Sequence, residues 1–126
     1  MLNNENRKIG FLCEGAAKKY LEHHGFCVID RNFTVRGGEI DLVCKADGVT
    51  VFAEVKARKS CEYGTPAEAV TRRKQEKLIY AANRYIEKYN ISSDCRFDVI
   101  EVLYRETEDG IEAEKINHIE NAFEVT

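Results

Sequence analysis

Several residue types and patterns are scarce in this 126-residue chain, and each scarcity excludes some classes of protein. The chain contains one proline and no tryptophan, and it has no repeats or low-complexity tracts. No apolar run approaches the roughly 20 residues that span a bilayer, and the first ten residues, MLNNENRKIG, lack the apolar centre of a secretory signal. We therefore expect one domain over residues 1–126, located in the cytoplasm and without a membrane partner.

The five cysteines are odd in number and lie far apart in the sequence. None of them forms the closely spaced pair that a zinc site usually contains. In a reducing compartment, a cysteine commonly packs as a small apolar side chain with a free thiol. We therefore expect reduced, structural cysteines and no zinc site.

Charge is distributed unevenly along the chain. The net charge is −3, but residues 55–90 carry 9 basic and 4 acidic side chains, whereas residues 91–126 carry 3 basic and 10 acidic ones. Local potential rather than total charge governs contacts with phosphates. The middle of the chain therefore suits a phosphate-facing surface, although ordinary solvated charges on a helix explain the same counts.

Hydrophobic periodicity predicts two helices and five strands in the order α-β-β-β-α-β-β. The predicted ranges are, in chain order, residues 4–24 (helix), 26–35, 39–45 and 49–58 (strands), 65–90 (helix), 96–104 and 111–119 (strands), and 120–123 (a terminal turn). Thr65, Pro66 and Glu68 fit a capping box at the start of the second helix. Because this helix allows a crossover connection, we expect an α/β fold with a mixed sheet flanked by helices.

Three charged residues interrupt strands that are otherwise apolar. Asp41 lies in the second predicted strand, and Glu54 and Lys56 lie in the third. The Asp47-Gly48 turn pairs these two strands as a hairpin, so that Asp41 and Glu54 can converge on one side. Two neighbouring carboxylates repel each other unless a cation lies between them.

These three residues have two interpretations. Mg²⁺ binds one or two carboxylates together with water and phosphate oxygens, and a nearby lysine can position water and neutralise developing charge, which suits phosphodiester hydrolysis. A half-exposed sheet face with a cross-strand ion pair explains the same pattern. Strict side-chain alternation would also place two sets of residues of the second strand on opposite faces, namely Glu39, Asp41 and Val43 against Ile40, Leu42 and Cys44.

Lys74 lies within the apolar stripe of the second predicted helix, between Val70 and Leu78. A lysine is costly to bury without a partner. Its side chain can extend to the surface, or its amine can reach the site of Asp41 and Glu54 or a substrate phosphate. We favour the second interpretation and include Lys74 among the candidate catalytic residues.

Four segments, GEIDLV, FAEVKAR, YGTPAEAV and RFDVIEV, resemble the YraN-like family of small bacterial proteins. The resemblance covers nearly the whole chain, from GFLCEGAAKKYL to NAF. That family is similar in turn to the PD-(D/E)XK nuclease superfamily, which includes restriction endonucleases and Holliday-junction resolvases. The resemblance implies a restriction endonuclease-like fold, although Ile40 stands where the superfamily motif often has a proline.

Carried over by position, the resemblance implies a role for each of five residues. It makes Asp41 and Glu54 ligands of Mg²⁺ (or Mn²⁺), with the carbonyl of Val55 as a third ligand, and it makes Lys56 the catalytic lysine. It also implies that Glu14 on the first helix reaches the metal directly or through water. Taken alone, a glutamate at that helical position is typical of a solvated residue.

Substrate contacts are expected from basic residues that position phosphates without reading bases. The candidates are Arg36, Arg58, Lys59, Arg72, Arg73 and Lys77. No motif that combines aromatic and basic residues for stacking is apparent, which favours recognition of duplex or branched shape. By contrast, Asp98 and the histidines are expected to be structural or solvated.

The sequence therefore predicts a metal-dependent endonuclease that hydrolyses phosphodiester bonds in DNA, including branched DNA of the Holliday-junction kind. One alternative is a non-catalytic nucleic-acid-binding or accessory protein on the same scaffold. Another is an interaction protein whose acidic residues 91–126 bind a basic partner. The acidic balance of the chain favours a homodimer or a protein partner that assists DNA binding.

Overall fold

The computed structural model describes residues 4–59 and 70–124. Its elements are, in chain order, α1 (Asn4–His23), β1 (Cys27–Val35), β2 (Gly38–Ala46), β3 (Val49–Lys59), α2 (Arg72–Tyr89), β4 (Cys95–Thr107) and β5 (Gly110–Phe123). The predicted order α-β-β-β-α-β-β is confirmed. Neither described helix is long and apolar enough to cross a membrane.

The five strands form one sheet in the order β1-β2-β3-β4-β5. Strands β3 and β4 are parallel, and the other three neighbouring pairs are antiparallel. Tight turns connect the antiparallel pairs, whereas the parallel pair needs a crossover, and α2 lies within that crossover. The predicted mixed sheet is therefore confirmed.

One helix covers each face of the sheet. Helix α1 packs its buried Leu21 in a layer with Leu42 and Ile100 of the sheet. Helix α2 packs its buried Leu78 in the opposite layer with Phe52. The sheet is thus enclosed between two apolar layers, and a polar side chain inside either layer loses contact with water.

Helix α2 begins later than the sequence predicts. Val70 and Thr71 are not helical, and the side chain of Thr71 caps the helix by accepting a hydrogen bond from the backbone N–H of Lys74 at 3.2 Å. The capping box predicted at residues 65–68 lies outside the described residues. The helix ends at Tyr89 and is followed by the C-cap Asn90, which adopts the left-handed conformation (φ 52°) that closes many helices.

The terminal turn predicted at residues 120–123 is wrong, because β5 continues to Phe123. Phe123 pairs with Phe97 of β4, and the two rings stack with their centroids 4.9 Å apart. This long-range contact keeps the last residues of β5 in the sheet. The aromatic partner lies more than twenty residues away in the sequence, so local patterns did not reveal it.

The β1–β2 turn fits tightly against α2. A Cβ atom added at Gly38 would overlap the carbonyl oxygen of Lys77, a backbone atom of the helix. Only a glycine permits this close approach. Gly38 therefore fixes the position of α2 over the start of β2, the strand that carries Asp41.

Four cysteines with free thiols lie within the described residues. Cys13 and Cys44 are buried in the α1 layer, and Cys27 and Cys95 are exposed. Burial raises the pKa of Cys13 to about 11 and that of Cys44 to about 12. Both buried thiols therefore stay protonated at neutral pH and act as apolar packing groups.

Candidate active site

Asp41 and Glu54 meet where β2 and β3 separate. Regular pairing of the two strands ends at Leu42 and Ala53, and the same register continued by one residue places Asp41 opposite Glu54. At this point the backbone N–H of Val55 donates to Oδ2 of Asp41 at 2.8 Å. A carboxylate thus takes the place of a backbone acceptor, which holds Asp41 against β3.

Side-chain alternation in β2 breaks at Asp41. Ile40 packs in the α2 layer and Leu42 packs in the α1 layer, although strict alternation predicts that they share a face. That prediction is wrong for a conformational reason. Asn32 of β1, which lies between the residues paired with Ile40 and Leu42, has a φ of 57° and interrupts the regular pleat.

The amine of Lys74 reaches this carboxylate pair from helix α2. Its Nζ lies 3.2 Å from Oε2 of Glu54, and the two side chains are 40% and 9% exposed. Desolvation lowers the pKa of Lys74, but the negative charges of Glu54 and Asp41 outweigh it, so that the pKa is raised. Lys74 therefore stays an ammonium that partly neutralises the pair.

The two carboxyl groups of the pair resist being ionised together. Burial, followed by the charge of Glu54 and a hydrogen bond between the two carboxyl groups, raises the pKa of Asp41 from 3.8 to about 8. Oε1 of Glu54 is buried and has no hydrogen-bond partner among the described residues. A buried carboxylate oxygen without a partner is costly, and a cation beside it would relieve that cost.

The carboxylate donors of the site suit a hard divalent cation. Within residues 4–59 and 70–124, no group of three or more His, Cys, Asp or Glu side chains is arranged to hold a metal ion. Asp41 and Glu54 nevertheless provide two carboxylates, and Mg²⁺ commonly binds one or two together with waters and phosphate oxygens. The residues present therefore fit Mg²⁺, with Val55 as the predicted carbonyl donor.

Glu14 is held by Arg31 of β1. Nε of Arg31 lies 3.4 Å from Oε1 of Glu14, while its Nη2 donates to the carbonyl oxygen of Phe11 at 2.7 Å. Burial, followed by the negative charge of Asp41, raises the pKa of Glu14. The charge of Asp41 therefore acts on the carboxyl group of Glu14. That Glu14 binds the metal stays a prediction.

Lys56 lies two residues after Glu54 on β3. Alternation from Phe52, which packs in the α2 layer, places Glu54 and Lys56 on the same face of the sheet. The side chain is half-buried, and no hydrogen bond or ion pair engages its amine within the described part of the chain. Lys56 therefore shares the face of β3 that carries Glu54, and its role at the carboxylate pair stays a prediction.

The six predicted phosphate-contacting residues fall into two groups. Nη1 of Arg58 lies 3.0 Å from Oε2 of Glu101, and Nζ of Lys59 lies 4.0 Å from Oε2 of Glu106, so both cations already face carboxylates. The other four are exposed, in the β1–β2 turn and in the first two turns of α2: Arg36, Arg72, Arg73 and Lys77. Of these four, Arg73 and Lys77 are four residues apart and therefore lie on one side of α2.

Glu101 is a buried residue of this region that sequence reasoning missed. It is 3% exposed, it pairs in register with Lys56 across β3 and β4, and its Oε1 accepts a hydrogen bond from Nδ2 of Asn117 at 2.8 Å. Together with the ion pair to Arg58, these contacts connect β3, β4 and β5. An acid in the middle of the apolar segment RFDVIEVLY was the available signal.

Asp98 is satisfied by its neighbours, which agrees with a structural role. Arg96 donates to its Oδ1 at 2.9 Å, the backbone N–H of Asn121 donates to the same oxygen at 3.0 Å, and His118 lies 2.7 Å from Oδ2. Desolvation raises the pKa of Asp98, but these hydrogen bonds outweigh it and lower the pKa. The carboxylate therefore stays ionised and fully bonded in the α1 layer.

Comparison with known proteins identifies the family of the chain. A model of the uncharacterised protein family UPF0102 matches residues 13–102, which include all five candidate catalytic residues. A UPF0102 protein of Trichlorobacter lovleyi is 43% identical over 128 residues, covering 99% of this chain and 97% of its own length. UPF0102 proteins of Syntrophomonas wolfei (44% identical) and Clostridium beijerinckii (41%) each match over 119 residues and 94% of this chain, covering 99% and 94% of their own lengths. The chain belongs to the UPF0102 family.

Proposed function

We propose that the protein is a metal-dependent endonuclease that hydrolyses phosphodiester bonds in DNA, including branched DNA. The observation that carries this proposal is the buried pair of Asp41 and Glu54, with the ammonium of Lys74 3.2 Å from Glu54 and with Lys56 on the same face of β3. The resemblance of the chain to the YraN-like family, and through it to the PD-(D/E)XK nucleases, supports the same chemistry.

Two features of the pair support Mg²⁺ or Mn²⁺ as the cofactor. Oε1 of Glu54 is buried without a partner among the described residues, and Asp41 retains a proton up to about pH 8. A divalent cation held by these two carboxylates would give Oε1 of Glu54 a partner and would displace the proton of Asp41. Val55 and Glu14 are the further proposed ligands. When bound, such a cation polarises a phosphoryl oxygen and lowers the pKa of a water molecule.

The side chains around the pair have separate roles in this proposal. Lys56 donates hydrogen bonds to the attacking water or to a non-bridging phosphate oxygen, where negative charge develops. Lys74 holds Glu54 in place and donates to the same phosphate. Exposed cations at the start of α2, Arg72 and Arg73, hold neighbouring phosphates of the DNA.

A second candidate function is a non-catalytic DNA-binding accessory protein. The observation that favours it is that Lys74 already pairs with Glu54 and that Arg31 holds Glu14, while the described residues contain no three-ligand metal cluster. Such a protein would bind DNA through the same cations without cutting it. For either function, a homodimer or a protein partner would offset the net charge of −3.

The test is incubation of the pure protein with plasmid DNA and with four-way-junction DNA, in Mg²⁺ or Mn²⁺ and in chelator. We expect cleavage with metal and none with chelator. Glu54→Gln and Lys56→Ala should each reduce the cleavage rate by about 100-fold or more and leave DNA binding intact. Lys45→Ala, which removes an exposed lysine of β2, serves as the matched control and should cleave as the unmodified protein does.

The same experiment separates the two candidates. Cleavage that persists in Glu54→Gln at the unmodified rate would refute the proposed site. Binding without cleavage of any DNA or RNA substrate would select the accessory function. Thermal melting of each variant confirms that a loss of cleavage does not come from unfolding.

A further inference from the structure

One flank of α2 combines three cations with an aromatic ring. Arg73, Lys77, Tyr80 and Arg84 follow one another at intervals of four, three and four residues, which places them on one side of a helix. All four are exposed. We call these four residues the α2 basic strip. In the linear sequence these four residues are separated by other side chains, so the grouping of cations and an aromatic ring is not apparent there.

The ring of Tyr80 is both exposed and supported. Tyr80 is 49% exposed, and a Cβ atom added at Gly37 would lie only 3.4 Å from its Cε2, so the ring lies along the β1–β2 turn. The close approach of Gly38 to the helix fixes that turn. No other ring and no hydrogen-bonding group engages Tyr80 within residues 4–59 and 70–124. A supported ring loses little conformational entropy when a ligand stacks on it.

The cations around this ring form few ion pairs with the described part of the chain. Arg73 and Lys77 have no ion pair with any described residue. Nη1 of Arg84 lies 3.8 Å from Oε1 of Glu87, but both side chains are more than half exposed, and such surface pairs contribute little energy. The strip therefore offers a row of cations and one flat apolar face to a polyanion that binds there.

We propose that the α2 basic strip binds an unpaired strand of DNA, with a base stacked on Tyr80 and phosphates on Arg73 and Lys77. Every base has a flat face that can stack on an aromatic ring, whereas a duplex buries those faces and offers mainly its phosphates. The strip begins one residue before Lys74, whose amine contacts Glu54. A strand bound along the strip therefore reaches the turn of α2 that carries Lys74.

This inference deepens the proposed function by naming a substrate class. Its statement about cleavage rests on the proposed function. The preferred substrate is DNA in which an unpaired segment joins a duplex, such as a forked or flapped end. A uniform duplex would make only the phosphate contacts. The binding part does not depend on catalysis and can be measured with chelator present.

The test is fluorescence anisotropy in chelator with two labelled DNAs of equal phosphate number, one forked and one fully duplex. We expect Tyr80→Ala to weaken binding of the fork by about 5- to 150-fold and to leave duplex binding unchanged within about twofold. Tyr80→Phe should retain the preference for the fork. Tyr89→Ala is the matched control, because Tyr89 is 47% exposed on the opposite side of the same helix.

Salt dependence tests the cationic part of the strip. The double variant Arg73→Gln, Lys77→Gln should bind both DNAs more weakly and should reduce the slope of log K against log salt by about 0.7–0.9 for each lost phosphate contact. An unchanged slope would contradict the assignment of these cations. Equal weakening of fork and duplex by Tyr80→Ala, no weakening at all, or no fork preference in the unmodified protein would overturn the inference.

Its failure is distinguishable from that of the proposed function. If Glu54-dependent cleavage occurs while Tyr80→Ala leaves fork binding unchanged, the strip inference is wrong and the nuclease stands. If Tyr80-dependent fork binding occurs while no DNA is cut with Mg²⁺ or Mn²⁺, the nuclease is wrong and the strip inference stands.

Discussion

Replacing Asp41 by asparagine should stabilise the metal-free protein at alkaline pH, although Asp41 is a candidate catalytic residue. The amide has nearly the same shape, and its oxygen can still accept the hydrogen bond that the N–H of Val55 donates. Its NH₂ group can donate to Glu54, where a carboxylate can only repel. The variant therefore removes the buried like charge and keeps the contacts of the side chain.

The sign and size of the effect follow from the raised pKa of Asp41. Burial and the charge of Glu54 raise it from 3.8 to about 8, so the folded protein retains a proton in this range that the unfolded chain releases. The free energy of unfolding therefore falls as pH rises, by up to about 1.4 kcal/mol per pH unit. Between pH 5 and pH 8 the upper limit is about 4 kcal/mol. Local relaxation and water entry reduce such costs, so we expect about 1–3 kcal/mol.

The assay is thermal unfolding of both proteins in chelator from pH 5 to pH 8. For a domain of this size, 1 kcal/mol corresponds to roughly 3–5 °C. The melting temperature of Asp41→Asn minus that of the unmodified protein should therefore increase by roughly 3–15 °C across this range. Mg²⁺ added at pH 8 should raise the melting temperature of the unmodified protein and leave that of the variant unchanged.

Asp47→Asn is the matched control. Asp47 is exposed in the β2–β3 turn and has a φ of 51°, a conformation that asparagine also adopts readily. This variant should follow the unmodified protein at every pH. A difference for Asp41→Asn that is the same at pH 5 and pH 8 would refute the reasoning about the buried pair. Equal stabilisation of Asp41→Asn by Mg²⁺ would show that the metal does not bind at Asp41.

The close packing of Gly38 against α2 and the buried acid Asp98 of the α1 layer give two further predictions. Gly38→Ala should lower the free energy of unfolding by about 1–3 kcal/mol in a denaturant titration, because the new methyl group meets the backbone of α2. Its control Gly15→Ala, where no atom lies within 4 Å of the added Cβ, should raise stability by about 0.5–1 kcal/mol, and a loss there would contradict the described geometry. Asp98→Asn should cost about 3–5 kcal/mol, because the buried Asp98 carboxylate satisfies Arg96 and His118. Because the pKa of Asp98 is lowered, its stabilisation is present above the unfolded value near 3.8 and is lost as pH falls below it. In acid titrations the variant should lose less stability than the unmodified protein, and parallel curves would contradict this assignment.

The architecture could be predicted from the sequence because its elements are coded locally. The helical period of α1, the Asp47-Gly48 turn and the alternation in β3 each depend on neighbours within a few residues. The predictions that were wrong concern segments whose conformation depends on contacts with residues far away in the sequence. Phe123 stays in the sheet because it stacks on Phe97, and no local pattern near residue 123 encodes that partner.

The candidate site was less accessible from the sequence, because its geometry departs from regular structure. The left-handed residue Asn32 interrupts the pleat opposite Asp41. Asn32 lies on β1, whereas Asp41 lies on β2, so the sequence around Asp41 does not reveal this interruption. Glu101 becomes a neighbour of Lys56 only through the register of the parallel pair β3 and β4. The proximity of Lys74 to Glu54 was foreseeable, since a lysine in an apolar stripe needs a partner.

The hydrogen bond from the backbone of Val55 to Asp41 has a practical consequence for spectroscopy. The acceptor of this one amide changes its charge when Asp41 gains or loses a proton, whereas most other amides of the sheet donate to neutral carbonyl groups. The ¹⁵N–¹H resonance of Val55 is therefore a built-in reporter of the ionisation of the carboxylate pair. In ¹⁵N-enriched protein it allows the ionisation state of the pair to be followed in solution without a substrate or a change of sequence.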